Sequence, residues 1–552
     1  MEPRYFILLP FCFLIFSRHL SISSQNMYPS LFYMGGSVLE LKRSVLLSNA
    51  FDPTRVSLLS WQPRIFVYKG FLSEEECDHL INLAGNELQI SMVVDEATGA
   101  SVQSEDRTST GMFLGRGQDE IIANIEARIA AWTLIPEENG EMIQVLRYEK
   151  GQKYEPHVDY FLDEFNTNWG GQRIATVLMY LSYVDEGGET VFPESMAKTS
   201  QGMDDNWSDC AKTGFAVKPE KGDALLFFSL HPNASSDPKS VHGSCPVIKG
   251  EKWSATKWIH VRSLENAQQE SVLRLKRGVS ANVFDPTRVT QLSWHPRAFL
   301  YKGFLSDEEC DHLVDLAKDK LEKSMVADNE SGKSIESEVR TSSGMFLQKA
   351  QDEIVAAIEA RISAWTFLPI ENGESMQILH YEHGQKYEPH FDYFHDKANL
   401  ALGGHRIATV LMYLSNVRKG GETVFPNSEG KMSQPKDDSW SECAKSGYAV
   451  KPKKGDALLF FSLHPDATTD PDSLHGSCPV LEGEKWSATK WIHVSSFEKS
   501  LHSASGECVD ENENCPRWAK VGECEKNPTY MVGSTDSPGY CRKSCKVCSS
   551  SS

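Results

Sequence analysis

The chain has 552 residues, 40% hydrophobic and 24% charged, with a formal net charge of -20. That length exceeds one ordinary hydrophobic core, so several domains are expected, and the composition argues against a disordered chain. The acidic balance repels phosphate backbones and argues against nucleic acid as a partner, while it attracts basic peptides over long range.

The apolar run Tyr5 to Phe16 spans twelve residues, short of the roughly 20 a membrane-spanning helix needs. Residues 1–25 therefore read as a secretory signal peptide or, if uncleaved, a type II signal anchor at the membrane. An internal repeat dominates the rest of the chain: residues 51–261 align without a gap to 284–494, at a constant offset of 233. Phe51-Asp-Pro-Thr-Arg-Val56 returns as Phe284-Asp-Pro-Thr-Arg-Val289. Such a period is a whole-domain duplication, with domains at 51–262 and 284–495 and a linker at 263–283.

Within the first copy, Ser73-Glu-Glu-Glu76 opens a helix as a capping box. A second helix, near Gln118 to Trp132, carries Ile121, Ile122, Ile125, Ile129 and Trp132 at helical spacing. After Pro136 the pattern changes to strands: Met142 to Tyr148, Arg173 to Val184, Glu189 to Phe192, Gly214 to Lys218 and Ala224 to Leu230. Helices first and short strands afterwards predict an α+β fold built on an antiparallel barrel or sandwich.

Each copy keeps three cysteines, Cys77, Cys210 and Cys245, then Cys310, Cys443 and Cys478. We expect Cys210 to pair with Cys245 and Cys443 with Cys478, since both pairs flank a long excursion; Cys77 is expected as a buried free thiol. The tail from Cys508 to Cys548 holds six cysteines, and a core that small needs disulfide staples. A zinc site there lacks any histidine. Sequons at Asn206, Asn233 and Asn329 fit the same oxidising compartment.

The chemistry resides in Tyr154-Glu-Pro-His-Val-Asp-Tyr160, repeated as Tyr387-Glu-Pro-His-Phe-Asp-Tyr393. Residues two apart on a strand face one side, so His157 and Asp159 can share a ligand. His242 lies 85 residues after His157, as His475 does after His390. Two histidines and a carboxylate form a facial triad that leaves positions open on non-haem iron(II). Lys252 sits within Gly250-Glu-Lys-Trp-Ser-Ala-Thr-Lys-Trp258, and a buried lysine there calls for an anion such as the distal end of a dicarboxylate.

In combination these motifs resemble the prolyl 4-hydroxylase family of the plant secretory pathway, over nearly all of both repeats. The resemblance implies a double-stranded β-helix (jelly-roll) with flanking helices in each copy, plus the small disulfide-rich module. It implies Fe(II) held by His157, Asp159 and His242, and by His390, Asp392 and His475. The cosubstrate 2-oxoglutarate would be held by Lys252, Tyr148 and Thr190, and by Lys485, Tyr381 and Thr423. A proline-rich peptide in polyproline II conformation would lie against Arg107, Ser109, Glu141, Tyr154, Arg173, Trp258 and His260. The second-copy counterparts are Arg340, Ser342, Glu374, Tyr387, Arg406, Trp491 and His493. The implied reaction spends O2 and 2-oxoglutarate, giving succinate, carbon dioxide and 4-hydroxyproline, with ascorbate maintaining the iron. The implied substrates are proline-rich secretory or cell-wall proteins, and the implied location is the lumen of the endoplasmic reticulum or Golgi.

The tail resembles the ShK-type toxin-like (ShKT) module. That resemblance implies the pairs Cys508–Cys548, Cys515–Cys541 and Cys524–Cys545. Two other functions compete with proline hydroxylation: the same iron chemistry on another peptidyl substrate, and a non-catalytic binding protein that uses the tail. The second predicts a damaged triad, and neither copy has one. Only the second copy carries the tail, which is also what a fusion of two neighbouring genes would produce. The loop 162–169 reads Leu-Asp-Glu-Phe-Asn-Thr-Asn-Trp in the first copy, against His-Asp-Lys-Ala-Asn-Leu-Ala-Leu in the second, so peptide preferences are expected to differ. His380, His383 and His395, unique to the second copy, are expected as surface or supporting residues.

Overall fold

The computed structural model describes residues 55–85, 87–94, 101–203, 207–264, 289–327, 334–497, 515–520, 522, 524, 532 and 541–547. The leader, most of the linker, the sequons at Asn206 and Asn329, and the Cys508–Cys548 pair lie outside these residues.

The first domain has two main sheets, whose strands we number in chain order: β1 (Val56–Trp61), β2 (Arg64–Tyr68), β3 (Gln89–Ile90) and β4 (Thr110–Leu114). They continue as β5 (Ile143–Tyr148), β6 (Tyr154–His157), β7 (Arg173–Tyr180), β8 (Thr190–Phe192), β9 (Phe215–Val217), β10 (Ala224–Phe228), β11 (His242–Ser244) and β12 (Lys252–His260). The larger sheet runs β1-β2-β10-β7-β12-β5-β4-β3, and the smaller β9-β8-β11-β6, with antiparallel neighbours throughout. The second domain repeats both orders from Val289–Trp294 to Lys485–His493.

Two helices cover the outer face of the larger sheet. Helix α1 (Glu74–Ala84) starts where expected: the Ser73 hydroxyl accepts from the Glu76 N–H at 3.1 Å, and the Glu76 carboxylate accepts from the Ser73 N–H at 2.9 Å. Helix α2 (Glu120–Thr133) buries Ile122, Ile125, Ile129 and Trp132 against Val145, Val177, Met179, Ala255 and Ile259 of the sheet. Strand alternation turns the other set of side chains, Tyr180, Leu225 and Phe227 among them, inward to meet Phe192 and Phe215 of the smaller sheet. This inter-sheet space holds the site.

The disulfides Cys210–Cys245 and Cys443–Cys478 form as expected, and so do Cys515–Cys541 and Cys524–Cys545 in the tail. Cys77 and Cys310 are free and buried, and burial pushes both thiols above their ordinary pKa. All five expected strands are shorter than expected: those from Met142 and Glu189 begin one residue later, at Ile143 and Thr190. The Arg173 strand stops at Tyr180, the Ala224 strand at Phe228, and the strand expected from Gly214 to Lys218 covers only Phe215–Val217. Among the described residues, no helix is long and apolar enough to cross a membrane.

Candidate metal centre

Strands β6 and β11 pair antiparallel with His157 directly opposite His242, so the register delivers both imidazoles to one place. Asp159 completes the group, and the ligand atoms of the three lie within 4.8 Å of one another. The spacing puts His157 and Asp159 on one strand, but β6 ends at His157 and Asp159 sits in the bend beyond. The bend, and not strand alternation, returns its carboxylate to the cluster. Each histidine is oriented from behind: Nδ1 of His157 lies 2.8 Å from the Glu155 carbonyl, and Nδ1 of His242 lies 3.0 Å from that of Ser240. A carbonyl accepts, so Nδ1 carries the proton and the Nε2 lone pair faces the cluster. Those Nε2 atoms lie 3.7 and 3.5 Å from the Asp159 carboxylate oxygens. The hydroxyl of Thr176 donates to Asp159 Oδ2 at 2.5 Å and fixes that carboxylate. The second domain repeats the arrangement with His390, Asp392, His475 and Thr409.

Burial, reinforced by His242, pushes His157 down to about 3, so its imidazole is neutral and available as a ligand. Burial opposes ionisation of Asp159, but His242, His157 and Arg173 outweigh it and hold the carboxyl below its usual range. Two imidazoles and one carboxylate, buried and open on one side, fit a divalent iron. Among the described residues these two triads are the clusters able to hold a metal.

Lys252 begins β12, opposite Tyr148 of β5. It is 1% exposed, and its Nζ donates to Ser244 Oγ at 2.8 Å. Burial lowers its pKa to about 7, against a weaker upward pull from Glu189. Among the described residues it forms no ion pair, so the ammonium lacks the counter-charge that burial demands. Tyr148, Thr176, Thr190, Ser254 and Thr256 line the same cavity between lysine and triad. Lys485 is placed identically, donating to Ser477 at 2.9 Å, with Tyr381 and Thr423 beside it.

A wider groove opens outside the triad and is lined by Arg107, Glu141, Tyr154, Arg173 and Trp258, five of the residues the resemblance assigned to peptide. Its second-domain counterpart is lined by Arg340, Glu374, Tyr387, Arg406 and Trp491. Tyr154 stacks on the His157 ring at 3.6 Å, and Arg173 lies over the Trp258 ring at 4.4 Å. Arg173 donates to both Glu141 oxygens, at 2.6 and 3.1 Å, and these contacts, with His260, hold Glu141 at about 2 despite its burial. The remaining two expected contacts lie behind the wall. Ser109 donates to Ser91, and His260 bonds Glu141 at 2.7 Å; their counterparts Ser342 and His493 do the same with Ser324 and Glu374. These four support the groove through other side chains.

Thr176, Ser244 and Tyr180, whose hydroxyl bonds Thr190 at 2.9 Å, are members of the site that sequence reasoning missed. One signal was available: Lys252, Ser254, Thr256 and Trp258 alternate along β12, and all four line the cavity. The extra histidines of the second domain stay away from the metal cluster: His380 bonds Glu484 at 2.7 Å, His383 bonds the Leu481 carbonyl at 3.1 Å, and His395 packs edge-on to Tyr393.

The family model of the 2OG-Fe(II) oxygenase superfamily matches residues 143–260 and 376–493, and so covers both triads and both lysines. Probable prolyl 4-hydroxylase 7 of Arabidopsis thaliana is 75% identical over 285 residues, which is 52% of this chain and 90% of that protein. Prolyl 4-hydroxylase 2 of the same plant is 63% identical over 272 residues, 49% of this chain and 90% of that protein. Among solved structures, a viral collagen prolyl hydroxylase from Paramecium Bursaria Chlorella virus-1, a 2OG complex, is 28% identical; the match covers 35% of this chain and 94% of that one, with a TM-score of 0.27.

Proposed function

The chain belongs to the prolyl 4-hydroxylase family of 2OG-Fe(II) oxygenases, and we propose that both of its domains are working sites acting on extended proline-rich peptides. The observation that carries this reading is the doubled set of a histidine–aspartate–histidine cluster beside a buried lysine that has no ion pair among the described residues. Fe(II) and 2-oxoglutarate, when bound, supply the oxidation that places a hydroxyl on proline C4 and leaves succinate and carbon dioxide.

The protein's own part is to bind and to orient. His157, Asp159 and His242 would hold the metal, with Thr176 fixing the carboxylate. Lys252 takes the distal carboxylate of the cosubstrate, and Tyr148 and Thr190 close the cavity around it. Lys485, Tyr381 and Thr423 serve the second domain in the same way. In the groove, Tyr154 and Trp258 offer flat faces to proline rings, while Arg107 and Arg173 offer N–H groups to exposed carbonyls of a polyproline II strand. O2 is the co-reactant and ascorbate the reductant that keeps the iron divalent.

Paired cysteines favour the lumen of the endoplasmic reticulum or Golgi, as does the sequon at Asn233, which lies in an exposed turn. The apolar run at residues 5–16 supports a signal peptide or membrane anchor. The cysteine-rich tail is read as an ShKT-type docking appendage, and the two repeats as a tandem duplication whose substrates are hydroxyproline-rich wall proteins. A Ser-Pro repeat peptide incubated with Fe(II), 2-oxoglutarate and labelled O2 tests the reading. We expect one labelled oxygen per modified proline, with matching succinate. Succinate without labelled peptide would reject proline-rich peptides as substrate.

A further inference from the structure

Arg64 on β2 and its counterpart Arg297 are buried, 7% and 6% exposed, yet neither has a carboxylate in hydrogen-bond contact among the described residues. Their partners are carbonyls. Arg64 Nη2 donates to Leu230 of its own domain at 2.8 Å, and Nη1 donates to Phe367 of the other domain at 3.0 Å. Arg297 does the converse, donating to Leu463 at 2.9 Å and to Leu134 of the first domain at 3.2 Å.

Leu134 and Phe367 are equivalent positions at the 233-residue offset, as Arg64 and Arg297 are. The same patch is therefore used twice, each arginine reaching the other's helix end, which is the signature of an isologous contact. Apolar packing crosses at the same place. The Phe367 ring lies 4.8 Å from Phe66 and 5.9 Å from Phe228, and each arginine lies 3.9 Å over a phenylalanine of its own domain. Leu134 and Phe367 also adopt left-handed backbone, φ 60° and 58°, at the ends of their helices. Side chains that large rarely adopt this conformation unless surrounding contacts hold it. Separated, each domain would leave one arginine N–H without its acceptor and expose a large apolar side chain.

We propose that this patch is a self-complementary docking surface that joins the two catalytic domains of one chain into a pseudo-twofold pair. Its occupant is the other copy of the domain. The two sites are thus held at a fixed separation, and not merely tethered through residues 263–283.

A protease site inserted within residues 265–283 of the full chain provides the test, with mass and elution read before and after cleavage. We expect the intact protein to have the mass of one chain, and the cut halves to stay together at low micromolar concentration. Halves that separate in the unsubstituted protein would overturn the proposal. An intact protein with the mass of two chains would overturn the assignment of the partner to the same chain. Arg64→Ala with Arg297→Ala should release the halves after cleavage while succinate formation and near-ultraviolet circular dichroism persist. Halves that remain joined in that variant, still folded, would show that the arginine exchange does not hold the pair.

Discussion

Among single residues the sharpest demand falls on Lys252, an ammonium 1% exposed whose one hydrogen bond among the described residues goes to a hydroxyl. Removing one partner of a buried charged contact costs about 2–5 kcal/mol. Lys252→Ala together with Lys485→Ala should therefore raise the KM for 2-oxoglutarate by at least ~30-fold, while metal binding, followed by calorimetry, changes little. The same lysine sets a pH dependence. With its pKa lowered to about 7 by burial, it is charged below that value and neutral above it. A dicarboxylate binds the charged form, so the KM for 2-oxoglutarate should climb as pH rises through neutrality, and binding near pH 7 should take up a proton. An unchanged KM between pH 6 and 9 would contradict the assignment of Lys252 as the group that titrates there. Thr176 is predicted to act through Asp159: Thr176→Val removes the 2.5 Å bond and should weaken iron binding in the first domain by about 10–100-fold. His157, Asp159, His242 and Lys252 were legible in the sequence because their residue types and spacing are unusual together. Thr176 and Tyr180 were not, because a hydroxyl on a strand reads equally well on either face.

Among the elements, β12 does two jobs with one alternation. Lys252, Ser254, Thr256 and Trp258 line the cavity, while Ala255 and Ile259 face the helices. Lys257 shares that outer face and bonds Glu126 of α2 at 2.5 Å, both side chains under a tenth exposed. Breaking a buried pair by truncating one member leaves an uncompensated charge, so Lys257→Met should destabilise the first domain by about 3–5 kcal/mol in denaturant unfolding. The fold class and the helix starts were readable from caps and periodicity, notably Ser73 with Glu76. Strand ends were read less well, because the apolar residues beyond Tyr180 and Phe228, Leu181 and Leu230, are still buried. The position of Asp159 also escaped, since a bend after His157 leaves no mark in strand alternation. Groove loops differ between domains: Leu162 is 59% exposed beside the first triad, and His395 lines the second groove. Peptide panels offered to single-site variants should return different preferences for the two domains, and identical profiles would remove the loop from consideration.

Across the whole molecule, two related but differing copies build sites with the same hydrogen bonds to within a few tenths of an ångström. The repeat was plain from the constant offset, but the contact between the copies was not, since Arg64 and Phe367 lie 303 residues apart and carry no local pattern. The proposed function depends on both triads hydroxylating peptidyl proline. To test this, the unsubstituted chain, His157→Ala, His390→Ala and the double variant would be incubated with a proline-repeat peptide, and 4-hydroxyproline followed by mass spectrometry. Each single variant should keep turnover from the remaining site, and the double variant should lose it. A single variant that abolishes all hydroxylation would reduce the enzyme to one working site, and a double variant that retains hydroxylation would contradict the assignment of the metal centre.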